Sequence, residues 1–376
     1  MREKIVVFVR SSGIYNDSRA TKEIQAISET GCKMFILCWD RYFDASEKNN
    51  LVFSAQKNVH FIYYKKKAVS GLGFKNLGKL LGWINWVKKK IKAICPSVVH
   101  FCDLDSSFVA AKYCKKMKIP YVYDIYDYYI DSHRIPFFAK KIVENREIFV
   151  INNSSYTIIC TEERIEQISK AKPRNLIVLH NSPSKMLLGK NNAKETFDYV
   201  YCGLLGDMRL VSEILDLYPK NQDLSFLFAG YGPLSDKCEE LSKAYKNFTF
   251  EKTIPYSEVL KNESNSLCLS AIYDPRIRNH RLCAPNKFYE SLALGKPVIV
   301  CTGTGIDRIV EENNLGMSIE YDAESFYKAV RFFKNTDDLS GFAIRGKTIF
   351  LEKYDWDSIM VPRLQNVYSK LLTGRF

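Results

Sequence analysis

No uninterrupted apolar stretch among the 376 residues approaches the roughly 20 that span a bilayer, so an integral membrane protein is not expected. Met1-Arg2-Glu3-Lys4 runs directly into the apolar run Ile5 to Val9 without a signal-peptide hydrophobic region, which argues against secretion. Glycine (18) and proline (12) are too few for a collagen-like or low-complexity chain, and 46% hydrophobic with 26% charged residues excludes a disordered one. The 11 cysteines include no Cys-x-x-Cys pair, and of the 5 histidines only His100 and His280 lie near a cysteine, with no second ligand pair beside either. Reduced, mostly buried thiols in a cytosolic protein are expected, with no zinc site. An internal repeat at solenoid period is also lacking.

What is present is alternation. Apolar runs such as Lys33 to Leu37, Val59 to Tyr63, Ser97 to Phe101 and Tyr156 to Cys160 are separated by helical patterns such as Ser18 to Glu29 and Ser106 to Met117. A second series, with Tyr199 to Cys202, Ser225 to Ala229, Thr249 to Glu251, Leu267 to Ser270 and Pro297 to Cys301, follows a polar, aperiodic stretch after Pro183. At roughly 150 residues per domain, two compact units fit the length. The pattern predicts two α/β domains with doubly wound parallel sheets, residues 1–183 and 197–353, with ligands at the carboxyl ends of strands and in a cleft. Residues 354–376 read as a helix broken by Pro362 that could pack back on the first domain.

Charge is uneven. Lys and Arg number 55 against 42 Asp and Glu, a net charge of +13, and Lys65 to Lys92 holds nine lysines and no acid. Read as a helix, Asn76 to Ala93 places Leu77, Leu80, Leu81, Ile84, Val87 and Ile91 on one side, where Lys88 intrudes, with Trp83 and Trp86 opposite, among Lys75, Lys79 and Lys90. Tryptophan beside lysine suits a helix lying at a bilayer interface, so an anionic membrane surface is the expected partner and nucleic acid is not. The plain alternative is a solvated face whose tryptophans pack on a neighbouring loop.

The richest stretch is Pro285-Asn-Lys-Phe-Tyr-Glu-Ser-Leu-Ala-Leu-Gly-Lys-Pro-Val-Ile299. Pro285 and Asn286 suit a helix start, Lys287 and Glu290 share one helical face, and Gly295 ends the helix before a buried strand. A lysine at a helix N-terminus is suited to phosphate, although a surface salt bridge has the same spacing. With Tyr201-Cys-Gly203, Arg209 and Ala229-Gly-Tyr-Gly-Pro233, this run resembles the retaining nucleotide-sugar glycosyltransferases of the GT-B fold, family four. Asn16-Asp-Ser-Arg-Ala-Thr-Lys-Glu23 and Val98-Val-His-Phe-Cys-Asp-Leu-Asp105 are similar to the family's first-domain loops.

The resemblance implies two Rossmann-like domains facing across a cleft, the first binding the acceptor and the second a nucleotide diphosphate sugar. Lys287 and Arg209 would be the cations on the diphosphate and Glu290 the acceptor of ribose hydroxyls, with Gly13, Gly203, Gly230, Tyr231 and Asn286 completing the donor site. No cofactor or metal is implied. The acceptor would be a glycan or a polyprenyl-linked sugar, used in surface polysaccharide synthesis at the inner face of the plasma membrane. A sugar-nucleotide epimerase and a non-catalytic binding subunit share the architecture and stay open. Two departures mark the sequence. Leu282 stands where the family has the first Glu of its Glu-seven-Glu pattern, in a loop that carries Arg276, Arg278 and Arg281. Tyr126 stands where a histidine is expected, leaving Asp127 as the nearest catalytic candidate. Asp103-Leu-Asp105 imitates a metal-binding Asp-x-Asp that belongs to a different, single-domain architecture, and Arg10-Ser-Ser-Gly13 has too few glycines for a dinucleotide loop.

Overall fold

The structure, a computed structural model, describes residues 3–15, 17–68, 77–133, 135–185, 196–283 and 285–374. The chain divides into two units, residues 1–179 with 361–376, and residues 180–360. Most of the expected linker lies outside the described residues, as does Lys75.

The first unit is built on seven parallel strands: β1 (Ile5–Arg10), β2 (Lys33–Asp40), β3 (Val59–Lys65), β4 (Val98–Cys102), β5 (Tyr121–Asp124), β6 (Tyr156–Ile159) and β7 (Leu176–Val178). Their order is β3-β2-β1-β4-β5-β6-β7. Strands covered on both faces need apolar side chains at every position, which is why they stand out as continuous runs. Six helices connect them: α1 (Ser18–Ser28), α2 (Ala45–Val52), α3 (Leu77–Ile94), α4 (Leu104–Met117), α5 (Tyr129–Ser132) and α6 (Phe137–Asn153). Asp17 caps α1, its Oδ1 accepting from the Ala20 amide at 3.1 Å. Right-handed crossovers place α1 and α2 on one sheet face and α3, α4 and α6 on the other, where α3 packs on α4 and α4 on α6.

The C-terminal helix Val361–Thr373 lies against α1 and buries Leu364, Val367, Tyr368 and Leu371. Pro362 does not break it. Proline is the second residue of this helix, where its missing N–H is no loss, and the chain bends earlier, through the looser turns Phe350–Tyr354 and Trp356–Met360. Tyr368 joins a buried polar network: its hydroxyl and His100 Nδ1 are 2.7 Å apart, and Arg19 donates to Glu23 at 2.9 Å and to Asp124 at 2.6 Å. Tyr126 completes it, its hydroxyl donating to Glu23 at 2.8 Å. Burial pushes the Glu23 carboxyl up to about 8 and the His100 imidazole down to about 4. Glu23, His100 and Cys102 also bring three potential metal ligands within 4.8 Å of one another, with Glu23 and His100 already committed to these partners.

Helix α3 forms as expected, but its buried side takes in Trp83 and leaves Leu81 exposed. Trp83 is fully buried with Val87 and Ile91, stacked 5.9 Å from Trp39 and 5.5 Å from Trp86, and Trp86 packs against the same core. The solvent face carries Lys79, Lys88, Lys89 and Lys92, with Leu81 exposed among them, and Lys90 lies over the Trp86 ring. The interfacial role expected of Trp83 and Trp86 is therefore wrong. The β2 and β3 aromatics Trp39 and Tyr64 supply rings against which Trp83 and Trp86 pack, so that burying Trp83 there adds to the burial of Val87 and Ile91.

The second unit has six parallel strands: β8 (Phe197–Leu204), β9 (Phe226–Tyr231), β10 (Phe248–Glu251), β11 (Ser266–Ala271), β12 (Val298–Cys301) and β13 (Gly316–Ile319). Their order is β10-β9-β8-β11-β12-β13. The sequence reading missed β13, a four-residue edge strand with a glycine and a serine. Its Gly316 lies so close to β12 that a Cβ would strike the Val298 backbone. Tyr199, Phe226, Phe228 and Phe326 pack edge to face at the centre of the core. All eleven cysteines are free thiols, nine of them buried, and no helix among the described residues is long and apolar enough to cross a membrane. In each sheet the strand order reverses once, between β1 and β4 and between β8 and β11, which is where open α/β sheets leave a crevice for ligands.

Candidate functional site

At the β8/β11 reversal, the loop after β8 carries Arg209 between two residues in the left-handed region, Met208 (φ 69°) and Leu210 (φ 62°). Such conformations are held only when neighbours fix them. Here the Leu210 amide donates to Tyr321 Oη at 3.1 Å and the Met208 carbonyl accepts from the Asp274 amide at 3.1 Å. Arg209 thereby lies 5.1 Å over the Tyr273 ring, which follows β11. Burial lifts the Tyr273 hydroxyl up to about 12, while Arg209 and, more weakly, Lys287 pull it down. Burial works against the Arg209 guanidinium, but Tyr273 and Tyr201 raise it further.

Lys287 sits in the first turn of the helix Asn286–Leu294, whose N-cap is Pro285 and which Gly295 ends in the left-handed conformation (φ 70°). Its ammonium pairs with Glu290 at 2.8 Å and with the buried Glu263. Desolvation alone would lower the Lys287 ammonium; Glu263 and Glu290 outweigh it and hold it raised. The other Glu290 oxygen accepts from Tyr256 Oη at 2.7 Å. A ribose reaching Glu290 must therefore exchange with Tyr256 or Lys287. Burial raises the Glu263 carboxyl, with Lys287 opposing. Glu263, at the end of the helix Tyr256–Ser264, escaped the sequence reading because only the fold brings it to Lys287. Asn286 accepts from Asn181 at 2.6 Å, and Tyr289, one turn deeper, meets His180 at 2.9 Å.

Two glycines close the site from the β9 side. Gly230 (φ 145°) and Gly232 (φ 149°) press on the β8 loop so tightly that a Cβ on either would strike the Gly203 or Leu205 carbonyl. Tyr231 between them is exposed. Of the three arginines in the loop after β11, Arg276 turns back on Asp274 and Arg281 donates to the Pro275 carbonyl at 2.7 Å. They brace the loop itself.

The first unit places Gly13 and Asp127 together in another crevice, at the β1/β4 reversal. A cavity of about 440 Å³ is lined there by Arg10, Gly13, Asp40, Arg41, Asp105 and Asp127, among others. Asp127 is exposed and pairs with Arg164 at 3.2 Å. Asp103 (φ 60°) accepts from Arg10 at 2.5 Å and from the Tyr126 amide at 2.9 Å, so it shapes the loop. Burial raises its carboxyl to about 6, against the pull of Arg10. Asp105 accepts from Ser11 at 2.5 Å. Two buried atoms of residues that line the cavity, the acceptor Asp40 Oδ2 and the donor Arg41 Nε, have no hydrogen-bond partner among the described residues.

Residues 205–334 match the family described as "Glycosyl transferases group 1". No curated protein matches the sequence. Among solved structures, sucrose-phosphate synthase from Thermosynechococcus elongatus superposes with a TM-score of 0.73 at 12% identity, covering 99% of this chain and 100% of that one. A glycosyltransferase from Rickettsia africae gives 0.68 at 12% identity with both chains fully covered. Medicago truncatula UGT71G1, complexed with UDP-glucose, gives 0.63 at 14%, covering 99% of each chain. The fold is GT-B.

Proposed function

From a GT-B chain whose second unit carries a group 1 glycosyl transferase segment, we propose a retaining glycosyltransferase that moves a sugar from a nucleotide diphosphate donor to a glycan acceptor. The observation that carries this is Arg209 held over Tyr273 at the β8/β11 crevice, beside the Gly230 turn, in the same unit as Lys287 at the start of the helix Asn286–Leu294. Two fixed cations and a helix start suit a diphosphate, and Glu290 on the same helical face suits ribose hydroxyls. As the bond from the anomeric carbon to the phosphate oxygen breaks, negative charge grows on the leaving diphosphate, where Arg209 and Lys287 stabilise it without a metal. The acceptor hydroxyl oxygen bonds to the same face of the anomeric carbon, and its proton passes to the leaving phosphate.

The first unit would hold the acceptor. Asp40 and Arg41 offer one unpartnered acceptor and one unpartnered donor, the complement of a sugar's hydroxyls, and Trp39 and Tyr15 line the same cavity. A lipid-linked glycan made at the cytoplasmic leaflet for a surface polysaccharide fits this reading.

The test is calorimetric titration with UDP and other nucleoside diphosphates, then assay of donor consumption with and without glycan acceptors, in chelator. Lys287→Ala should weaken nucleotide binding by about tenfold or more, since a lost charge-assisted bond costs about 1.5 to 3 kcal/mol. Unchanged binding in Lys287→Ala and Arg209→Ala would remove the donor site. Consumption without acceptor would favour an epimerase, binding without consumption a binding subunit, and loss in chelator restored by manganese a metal at Asp105.

A further inference from the structure

We infer that the α3–α4–α6 face of the first unit docks on an anionic lipid bilayer, with Phe137, Phe138 and Ile142 entering it. Phe137 is 94% exposed, Phe138 81% and Ile142 55%, all within the first two turns of α6. Isolated exposed apolar residues need no explanation, but two phenylalanines and an isoleucine on one helix start form a patch.

Charge identifies the occupant. Lys140, Lys141 and Arg146 are exposed on the same helix, Lys115 and Lys116 on α4, and α3 adds the four lysines of its solvent face. Opposing acids are withdrawn from this surface. Helix α3 has none; Asp105 on α4 is half-buried and accepts from Ser11. On α6, Glu144 pairs with Lys170, and Glu147 is buried beneath Tyr123. Three neighbouring helices thus present cations, and no carboxylate of theirs is exposed. Ammonium groups around inserting apolar side chains match anionic headgroups over acyl chains. A nucleic acid would use the cations and leave Ile142 and the exposed Leu81 without a role.

The docking stands without the transfer reading. If that reading also holds, the surface starts beside the acceptor cavity, since His133, four residues before Phe137, lines it.

The experiment is co-sedimentation of the full chain with vesicles of phosphatidylcholine alone or mixed with phosphatidylglycerol, at about 0.1 M and about 0.5 M salt. Wild type should bind the mixed vesicles at least about tenfold more tightly at the lower salt. Phe137→Ser/Phe138→Ser should lose about tenfold at both salts, and Lys140→Glu/Lys141→Glu chiefly at the lower one. Brominated lipid should leave the emission of buried Trp83 unquenched. Absence of vesicle binding, equal binding by the phenylalanine variant, or binding of single-stranded RNA as tight as that of vesicles would overturn the inference. Melting temperature and UDP binding report folding separately; should the double variant melt early, Phe137→Ser alone, at the more exposed ring, is read in its place.

Discussion

Gly203 and Gly230 look alike in sequence, each a glycine at the end of a strand, yet they differ in what a methyl group would meet. At Gly230 the backbone is left-handed (φ 145°) and a Cβ would strike the Gly203 carbonyl; at Gly203 the nearest atom is the Tyr201 hydroxyl at 3.6 Å, an ordinary contact. Gly230→Ala should therefore destabilise the protein by about 2 kcal/mol or more, combining backbone strain with displacement of the β8 loop. Gly203→Ala should stay within about 1 kcal/mol of wild type. Urea titration of the two variants checks this, and equal losses would show that the β8 and β9 loops are not packed as described. The same contrast separates the acids. Glu290 is legible from its spacing to Lys287, whereas Glu263, 27 positions before it in sequence, pairs with the same ammonium through the fold alone.

The element whose role the sequence leaves most open is the C-terminal helix. Its four buried side chains, Leu364, Val367, Tyr368 and Leu371, belong to the core of the first unit, although they come last in the chain. Each buried side chain of this kind stabilises by about 1.5 to 3 kcal/mol, so truncation after Met360 should cost the first unit about 6 kcal/mol or more. It would also leave His100 Nδ1 without Tyr368. The expected outcome is a variant whose first unit is unfolded by limited proteolysis while residues 180–360 resist. A truncated protein with unchanged melting would mean that α1 does not need this cover. Helix α3 makes the companion point: its existence follows from its apolar period, but its orientation follows from the aromatic niche of β2 and β3.

Over the whole molecule, buried carboxyls set the pH dependence of stability. Burial raises Glu147 from its ordinary value to about 8, as it does Glu23. Above about pH 4.5 the unfolded chain has lost a proton that the folded protein still holds, so each such group withdraws stability as pH rises towards 8, by at most about 1.4 kcal/mol per unit. His100, lowered to about 4, acts the other way: between about pH 4 and 6.5 only the unfolded chain is protonated, and stability rises with pH. Above pH 6.5 only the downward carboxyl slope is left among these groups. Wild type should lose stability from pH 6.5 to 8, and Glu147→Gln, which keeps an oxygen to accept from Tyr123, should lose less. Denaturation at pH 6.5, 7.25 and 8 compares the two; parallel curves would mean Glu147 is ionised in the folded state throughout.

What the sequence determined by itself is periodic or contiguous. Buried parallel strands must be apolar at successive positions, so twelve of the thirteen among the described residues are visible as runs, and the helix Asn286–Leu294 announces itself through Pro285, Lys287, Glu290 and Gly295 within one stretch. Only β13, short and carrying Gly316 and Ser318, gave no such signal. Tertiary structure alone decided what depends on neighbours from distant sequence. It turned Trp83 inward because rings were waiting there, left Phe137 and Phe138 exposed among the described residues, and brought Glu263 to Lys287. A helical pattern fixes which residues share a face; which face is buried depends on the competing surfaces that the rest of the chain supplies.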